Sequence, residues 1–107
     1  MRRGEVWWAA IEPTVGGEIG KTRPAIIISN DRSNARNNRV QIVPVTSNTR
    51  RVYPFEALVT VDGDLSKAVA DQIRTVDKSR LQGFMGRIGD AELRAVEDAL
   101  RLQLDLK

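Results

Sequence analysis

The chain has 107 residues, no cysteine, no histidine and a formal net charge of +3. Missing thiols and imidazoles exclude disulfides, thiolate nucleophiles, cysteine or histidine metal sites and histidine acid/base chemistry. The length suits one domain, residues 1–107, with a core modest enough for a second copy to help its stability.

No apolar run is long enough to span a membrane, and Met1-Arg2-Arg3 leads into a charged, aromatic segment, so the cytoplasm is the expected compartment. Charge is uneven: residues 1–54 carry nine Lys/Arg against four Asp/Glu, and residues 55–107 carry eight against ten. A basic half containing both tryptophans fits a nucleic-acid surface, and equally a solvated face.

Gly4 to Ile11 reads as a first strand, with Val6, Trp8 and Ala10 on one face and Glu5, Trp7, Ala9 and Ile11 on the other. One tryptophan is expected in the core. The other packs under a loop or offers a stacking surface. Glu12 to Gly20, with three glycines and a proline, is a long flexible connection, either plain solvent-exposed loop or a mobile gate over an anion site. Lys21-Thr22 is not followed by a helical pattern, which argues against a P-loop.

Arg23-Pro24 then introduces Ala25-Ile26-Ile27-Ile28, a β-branched run expected to be buried on both faces at the centre of a sheet. Pro24 biases Arg23 toward extended geometry, so its guanidinium should leave the strand's mouth on a rigid mount. Ser29-Asn30-Asp31 supplies turn and cap residues. Arg32 to Asn38 is polar throughout, a single helical turn or loop with nothing expected to be buried.

Arg39 to Ser47 is the next strand, with Val40, Ile42 and Val45 in the core and Pro44 demanding a sheet edge or a bulge. Asn48 to Pro54 is a basic loop holding Arg50, Arg51 and Tyr53. Phe55 to Val61 resumes as a strand before an Asp62-Gly63-Asp64 turn. Ala68 to Val76 reads as one further strand in which Asp71, among apolar neighbours, needs a cation close by. Lys78 to Leu81 allows one helical turn, and Phe84 to Ile88 a short extended segment. Asp90 is placed to cap a helix running to about Leu106, its stripe of Leu93, Val96, Leu100 and Leu104 widened by Ala99, Leu102 and Leu106. Five or six short strands and a terminal helix make a small barrel.

Arg3-Gly4-Glu5-Val6-Trp7, Pro13-Thr14-Val15-Gly16, Gly20-Lys21-Thr22-Arg23-Pro24-Ala25, Val43-Pro44-Val45-Thr46-Ser47 and Asp71-Gln72-Ile73-Arg74-Thr75-Val76-Asp77, in this order and spacing, resemble the MazF/PemK family of toxin endoribonucleases. The resemblance implies a mainly β fold, an SH3-like barrel of five to seven strands with a C-terminal helix. It also implies a homodimer that cuts single-stranded RNA without cofactor or metal, neutralised by an antitoxin whose disordered tail occupies the same groove. The family pattern places catalysis on Arg23 and Thr46, with Ser47 beside them and Asp71 at an acidic position. RNA contact is expected further from Glu18, Lys21 and Gln72, and from Arg50, Arg51 and Tyr53. Some relatives carry a histidine where this chain has Gly17 and an arginine where it has Val69, so a mechanism built on those two cannot operate here.

Metal-free cleavage uses the neighbouring 2′-OH as nucleophile and needs a base, an acid for the leaving 5′-oxygen and cations on the phosphorane oxygens. Arg23 suits the last role, because its planar fork can hold two phosphate oxygens. It is a poor base, since a guanidinium does not deprotonate in proteins, so Glu18 and Asp71 stand as the carboxylate alternatives. Two other readings of the same barrel are a gyrase inhibitor, for which the aromatic tail is missing, and a non-catalytic RNA-binding module. Because the chain lacks histidine, the pH–rate profile of RNA cleavage should show no limb near the free imidazole pKa of about 6.5. Initial rates across pH 5 to 9 check this, and an imidazole-like bell would contradict it.

Overall fold

The computed structural model describes residues 1–12 and 14–107. Pro13, in the first loop, lies outside them. In chain order the elements are β1 Glu5–Ala10, β2 Thr22–Ile27, α1 Asp31–Arg36, β3 Arg39–Thr46, β4 Glu56–Val61, β5 Asp64–Val69, β6 Arg74–Asp77, β7 Leu81–Arg87 and α2 Asp90–Leu104, with single 3-10 turns at Ala70–Gln72 and Lys78–Arg80. The strands form one antiparallel sheet in the order β4-β5-β3-β2-β1-β7, and β6 joins β3. The sheet curls into a half-closed barrel with α2 packed on β4 and the Ala70–Gln72 turn, so the architecture is mainly β with a C-terminal helix.

Burial divides by strand alternation. Val6, Ile26, Ile28, Val43 and Val45 turn to a cluster closed by Val59, Val96, Ala99 and Leu100, whereas Ala9, Ile11, Ala25, Ile27, Val40 and Ile42 form a second cluster with Val76 and Leu81. The isoleucine run is therefore buried on both faces, as its β-branched composition requires. Trp7 packs half-buried on the second cluster and meets Phe84 edge-on at 5.6 Å, while Trp8 is 42% exposed.

Several local expectations are corrected. Pro44 sits at neither an edge nor a bulge: β3 is an interior strand. On its second side β6 pairs up to Ile42 and β5 begins at Val45, leaving a two-residue gap in which a missing N–H breaks no ladder. The segment expected as one strand over Ala68 to Val76 is broken by the 3-10 turn, where Ala70 N donates to Phe55 O and Ile73 N to Ala70 O, and β5 begins earlier, at Asp64. Asn34, within the polar stretch, is buried because its amide bonds Ser29 O and its carbonyl oxygen accepts from Ser29 Oγ. α2 is capped by Gly89 rather than Asp90. Its Glu92 accepts from Gly89 N at 3.3 Å with one oxygen and from Thr60 N at 2.6 Å with the other, stitching the helix to β4. The helix ends at Leu104 because Asp105 turns left-handed (φ 56°) and Leu106 N bonds Arg101 O, which closes the last carbonyls.

Ile26 is fully buried between β1 and β3. Ile26→Ala should cost about 2–5 kcal/mol of unfolding free energy. In urea melts the midpoint should fall with the slope m unchanged. A midpoint at the wild-type value would contradict this packing.

Candidate active site

The β2–β3 ladder runs Ile27–Ile42, Ile26–Val43, Ala25–Pro44 and stops there. Beyond it β2 stays with β1, through Trp8–Pro24, Ala9–Arg23 and Ala10–Thr22, while β3 crosses to β5 through Val45–Ala68 and Thr46–Lys67. The two strands part and leave a mouth. Continuing their register two residues sets Arg23 opposite Thr46, both on the face that carries Ala25, Ile27 and Pro44, with Ser47 on the other face.

Arg23 is half-buried. Its Nε donates to Gly20 O at 2.9 Å, and its Nη groups make no ion pair or hydrogen bond among the described residues. Among the described residues it makes no salt bridge to Asp71, for which a nearby cation was expected. Thr46 is also half-buried, and its Oγ1 accepts only a long bond from Asn48 N at 3.3 Å, so its proton is free to donate.

The first loop is better anchored than a free gate. Ile11 N bonds Lys21 O, and Glu12 Oε1 accepts from Lys21 N at 3.1 Å. Arg74 holds Ile11 O at 2.9 Å and Arg80 holds Glu12 O. Lys21 itself is left-handed (φ 65°), an uncommon conformation for a residue with a Cβ, held here by bonds at both its N–H and its C=O. Across the mouth, Gln72 spans the loop: its Oε1 accepts from Ile19 N at 3.1 Å and its Nε2 donates to Gly17 O at 3.2 Å. Glu18 closes a small turn by accepting from Val15 N at 2.6 Å.

Three cavities distribute the remaining candidates. One of about 320 Å³ joins Arg23 and Ser47 with Trp8, Pro24 and the Asp62 and Asp64 carboxylates. A second, about 570 Å³, brings Glu18, Asp71 and Gln72 together with Arg74. The third, about 420 Å³, gathers Asn48, Arg50, Arg51, Tyr53 and Lys67. Arg23 and Ser47 thus line the first hollow, Glu18, Asp71 and Gln72 the second, and Arg50, Arg51 and Tyr53 the third, whereas Thr46 and Lys21 line none of the three. Among the described residues no group of three carboxylates is placed to hold a metal ion.

The family model of PemK-like, MazF-like toxins of type II toxin–antitoxin systems matches residues 2–104. The chain belongs to this toxin family. It is 43% identical to endoribonuclease MazF9 of Mycobacterium tuberculosis over 99% of this chain and 98% of that protein. It is 32% identical to endoribonuclease MazF of Staphylococcus saprophyticus over 99% and 92% of the two. The crystal structure of MazF from Deinococcus radiodurans superposes with TM-score 0.89 at 29% identity, covering 99% of this chain and 97% of that one. A mycobacterial endoribonuclease in complex with its cognate antitoxin superposes with TM-score 0.81 at 28% identity, covering 100% and 97%.

Within this PemK-like fold, Asp71 departs from its expected setting. It is exposed on the outer side of the 3-10 turn, with Ala70 taking the buried position, so its charge stays hydrated and needs no paired cation. Gln72 is committed to the loop backbone through both ends of its amide, which makes it a positioning residue in this state. Lys67 escaped sequence reading. Its strand begins Asp64-Leu65-Ser66-Lys67, three of the four polar or charged, yet Lys67 is only 9% exposed and stands directly across from Thr46. Burial along β5 does not alternate, since Ser66 to Val69 are all buried, so the local pattern carried no signal for it. Removing the tether, Gln72→Ala should raise the amide exchange rate of Ile19 by about tenfold or more while core amides keep theirs. Hydrogen-exchange NMR reads this, and an Ile19 amide as protected as in the wild type would show that the loop does not depend on Gln72.

Proposed function

We propose that this toxin is an endoribonuclease that cuts single-stranded RNA at short sequences without a metal ion. The observation that carries the reading is Arg23, whose Nη groups are uncommitted among the described residues on a braced strand end, at the mouth where β2 parts from β3 shortly before Thr46. A phosphate seated there accepts two parallel bonds from the guanidinium, and the Thr46 hydroxyl donates a third. Because Pro24, the β1 ladder and the Gly20 carbonyl fix the fork beforehand, little reorganisation is needed as charge develops on the phosphorane.

In this reading the 2′-oxygen attacks phosphorus as its proton passes to a base, the P–O5′ bond breaks, and O5′ takes up a proton. The products are a 2′,3′-cyclic phosphate and a 5′-OH. Glu18 and Asp71, which border one cavity, are the carboxylates available as base, and Ser47, Lys21 and Gln72 shape the surrounding contacts. Arg50, Arg51 and Tyr53 extend the track along the strand. Separated bases fit these hollows better than a stacked duplex does, which is the reason for a single-strand preference. A metal-free reaction agrees with a chain that has neither histidine nor cysteine.

The partners follow the family. A cognate antitoxin, of which solved relatives in complex offer examples, would compete for this basic track with an acidic, disordered segment. Two copies would place two mouths along one channel, and the setting is the cytoplasm, where RNA and antitoxin meet.

Purified wild-type protein should cleave a single-stranded RNA pool in EDTA, leaving cyclic phosphate ends. Arg23→Ala should lower kcat by about a hundredfold or more with an unchanged melting temperature, and Thr46→Ala by about tenfold or more. Of Glu18→Gln and Asp71→Asn, the variant lacking the base should lose the alkaline plateau of the rate profile. Retarded but intact RNA would instead identify a binding module, and gyrase inhibition without cleavage the other toxin class.

A further inference from the structure

Inside the barrel rim, Lys67 Nζ lies 3.0 Å from Glu56 Oε1, with side-chain exposures of 11% and 6%. Withdrawing two charges from water is costly unless their remaining donors and acceptors are satisfied. Here they are satisfied by the backbone of the neighbouring loop. Lys67 Nζ donates to Arg51 O at 2.7 Å, and the same Glu56 oxygen accepts from Tyr53 N at 2.9 Å. Tyr53 O in turn receives Glu56 N at 2.9 Å. The pair therefore grips the loop on both sides of Val52.

On the solvent side the gripped residues form a stack. The Arg51 guanidinium stands 5.8 Å from the Tyr53 ring centre and bonds its hydroxyl at 3.1 Å, and Tyr53 lies parallel to Phe55 at 5.5 Å. Arg51 and Tyr53 of this stack, with Arg50 and Asn48, enclose the 420 Å³ cavity, and Lys67 is among its lining residues. A planar stacking surface beside cations accommodates one nucleotide, its base on the stack and its phosphate on Arg50. Lys67 is also the cross-strand partner of Thr46, and Thr46 leads through Ser47 into the loop, so that nucleotide neighbours the mouth.

Resting on the ribonuclease reading above, we infer that the buried Lys67–Glu56 pair is the positioning device that sets the 48–55 loop as a nucleotide subsite and thereby fixes the base preference beside the cut. A pair serving stability alone is replaceable by apolar side chains of similar volume. One serving recognition is not, because the apolar replacement no longer holds the Arg51 carbonyl and the Tyr53 amide.

The test compares wild type, Lys67→Arg, Glu56→Gln, Glu56→Leu, Lys67→Met and the double variant Lys67→Met/Glu56→Leu. The readouts are thermal melting, kcat and KM on one oligonucleotide, and sequencing of cut ends from a randomised RNA pool. The double variant should melt cooperatively, raise KM much more than it lowers kcat, and lose about tenfold in base discrimination beside the cut. Lys67→Arg should recover most of that discrimination. A folded double variant with the wild-type cut profile and KM would overturn the inference. Should the Lys67 variants fail to fold, the Glu56 variants decide it: Glu56→Leu, which removes the acceptor of Tyr53 N, should lose discrimination while Glu56→Gln, which keeps that acceptor, retains it, and a wild-type profile in Glu56→Leu overturns the inference. Wild-type protein that cuts no RNA overturns the ribonuclease reading itself, an outcome separate from an intact enzyme with indifferent variants.

Discussion

At Pro44 the ladder of the third strand with β2 ends, and from Val45 it pairs on its other side with β5 in succession to β6; the geometry of the candidate site follows from that exchange of partners. A proline brings no N–H to a ladder, so the two-residue gap between β6 and β5 is where β3 tolerates it. The exchange separates β2 from β3 just where Arg23 and Thr46 would otherwise be ordinary cross-strand neighbours. Both residues are half-buried just beyond the end of that ladder, next to an interior in which Ala25, Ile27 and Ile42 are fully buried.

Of the 17 Lys/Arg side chains, four (Arg2, Arg3, Lys67 and Arg101) make ion pairs among the described residues, so cations without an acidic partner are common over the whole surface. Arg3 is paired with Glu97 at 2.7 Å, Lys67 with Glu56 and Arg101 with Asp98. Arg23 and Arg50 have no such partner among the described residues, and the bonds Arg51 makes are to a phenol and through its backbone. Exposed ion pairs contribute little to stability, so the pairs that exist do not explain the fold. What is particular to Arg23 is its seat at the mouth, with Nε held by Gly20 O and both Nη groups uncommitted among the described residues. The loop from Glu12 to Lys21 is braced by Arg74, Arg80 and Gln72, which keeps the Gly20 carbonyl in place to orient Arg23. A polyanionic ligand would displace counterions rather than protein partners at this surface.

Much of this was legible in the residues. The isoleucine run announced a strand buried on both faces, alternation in Gly4 to Ile11 assigned the two tryptophans to opposite faces, and the stripe in α2 identified Val96, Ala99 and Leu100 as packed, whereas Leu102, Leu104 and Leu106, read as part of it, are exposed. Legibility ended where local pattern and long-range pairing disagree. Pro44 reads locally as an edge residue, and only the order of strands along β3 reveals the gap that accepts it. Asp71 reads as a buried carboxylate because its neighbours are apolar, and only a 3-10 turn, fixed by the Phe55 carbonyl 15 residues earlier in the chain, turns it outward. Lys67 reads as a solvent-facing lysine, and its burial depends on Glu56 and on a loop carbonyl that no spacing rule connects to it. Arg23 and Thr46 were named through a family likeness, whereas the parting of their strands is seen in the pairing register.

The account turns on one phosphate being held jointly by Arg23 and Thr46. A crystal structure of the wild-type protein with single-stranded RNA bearing a 2′-deoxy sugar at the cut position, which cannot supply the attacking hydroxyl, measures this directly. The account predicts the Arg23 Nη atoms and Thr46 Oγ1 each within about 3.2 Å of oxygens on the same scissile phosphate. RNA seated with that phosphate away from both side chains, or touching one while the other faces solvent, would contradict it.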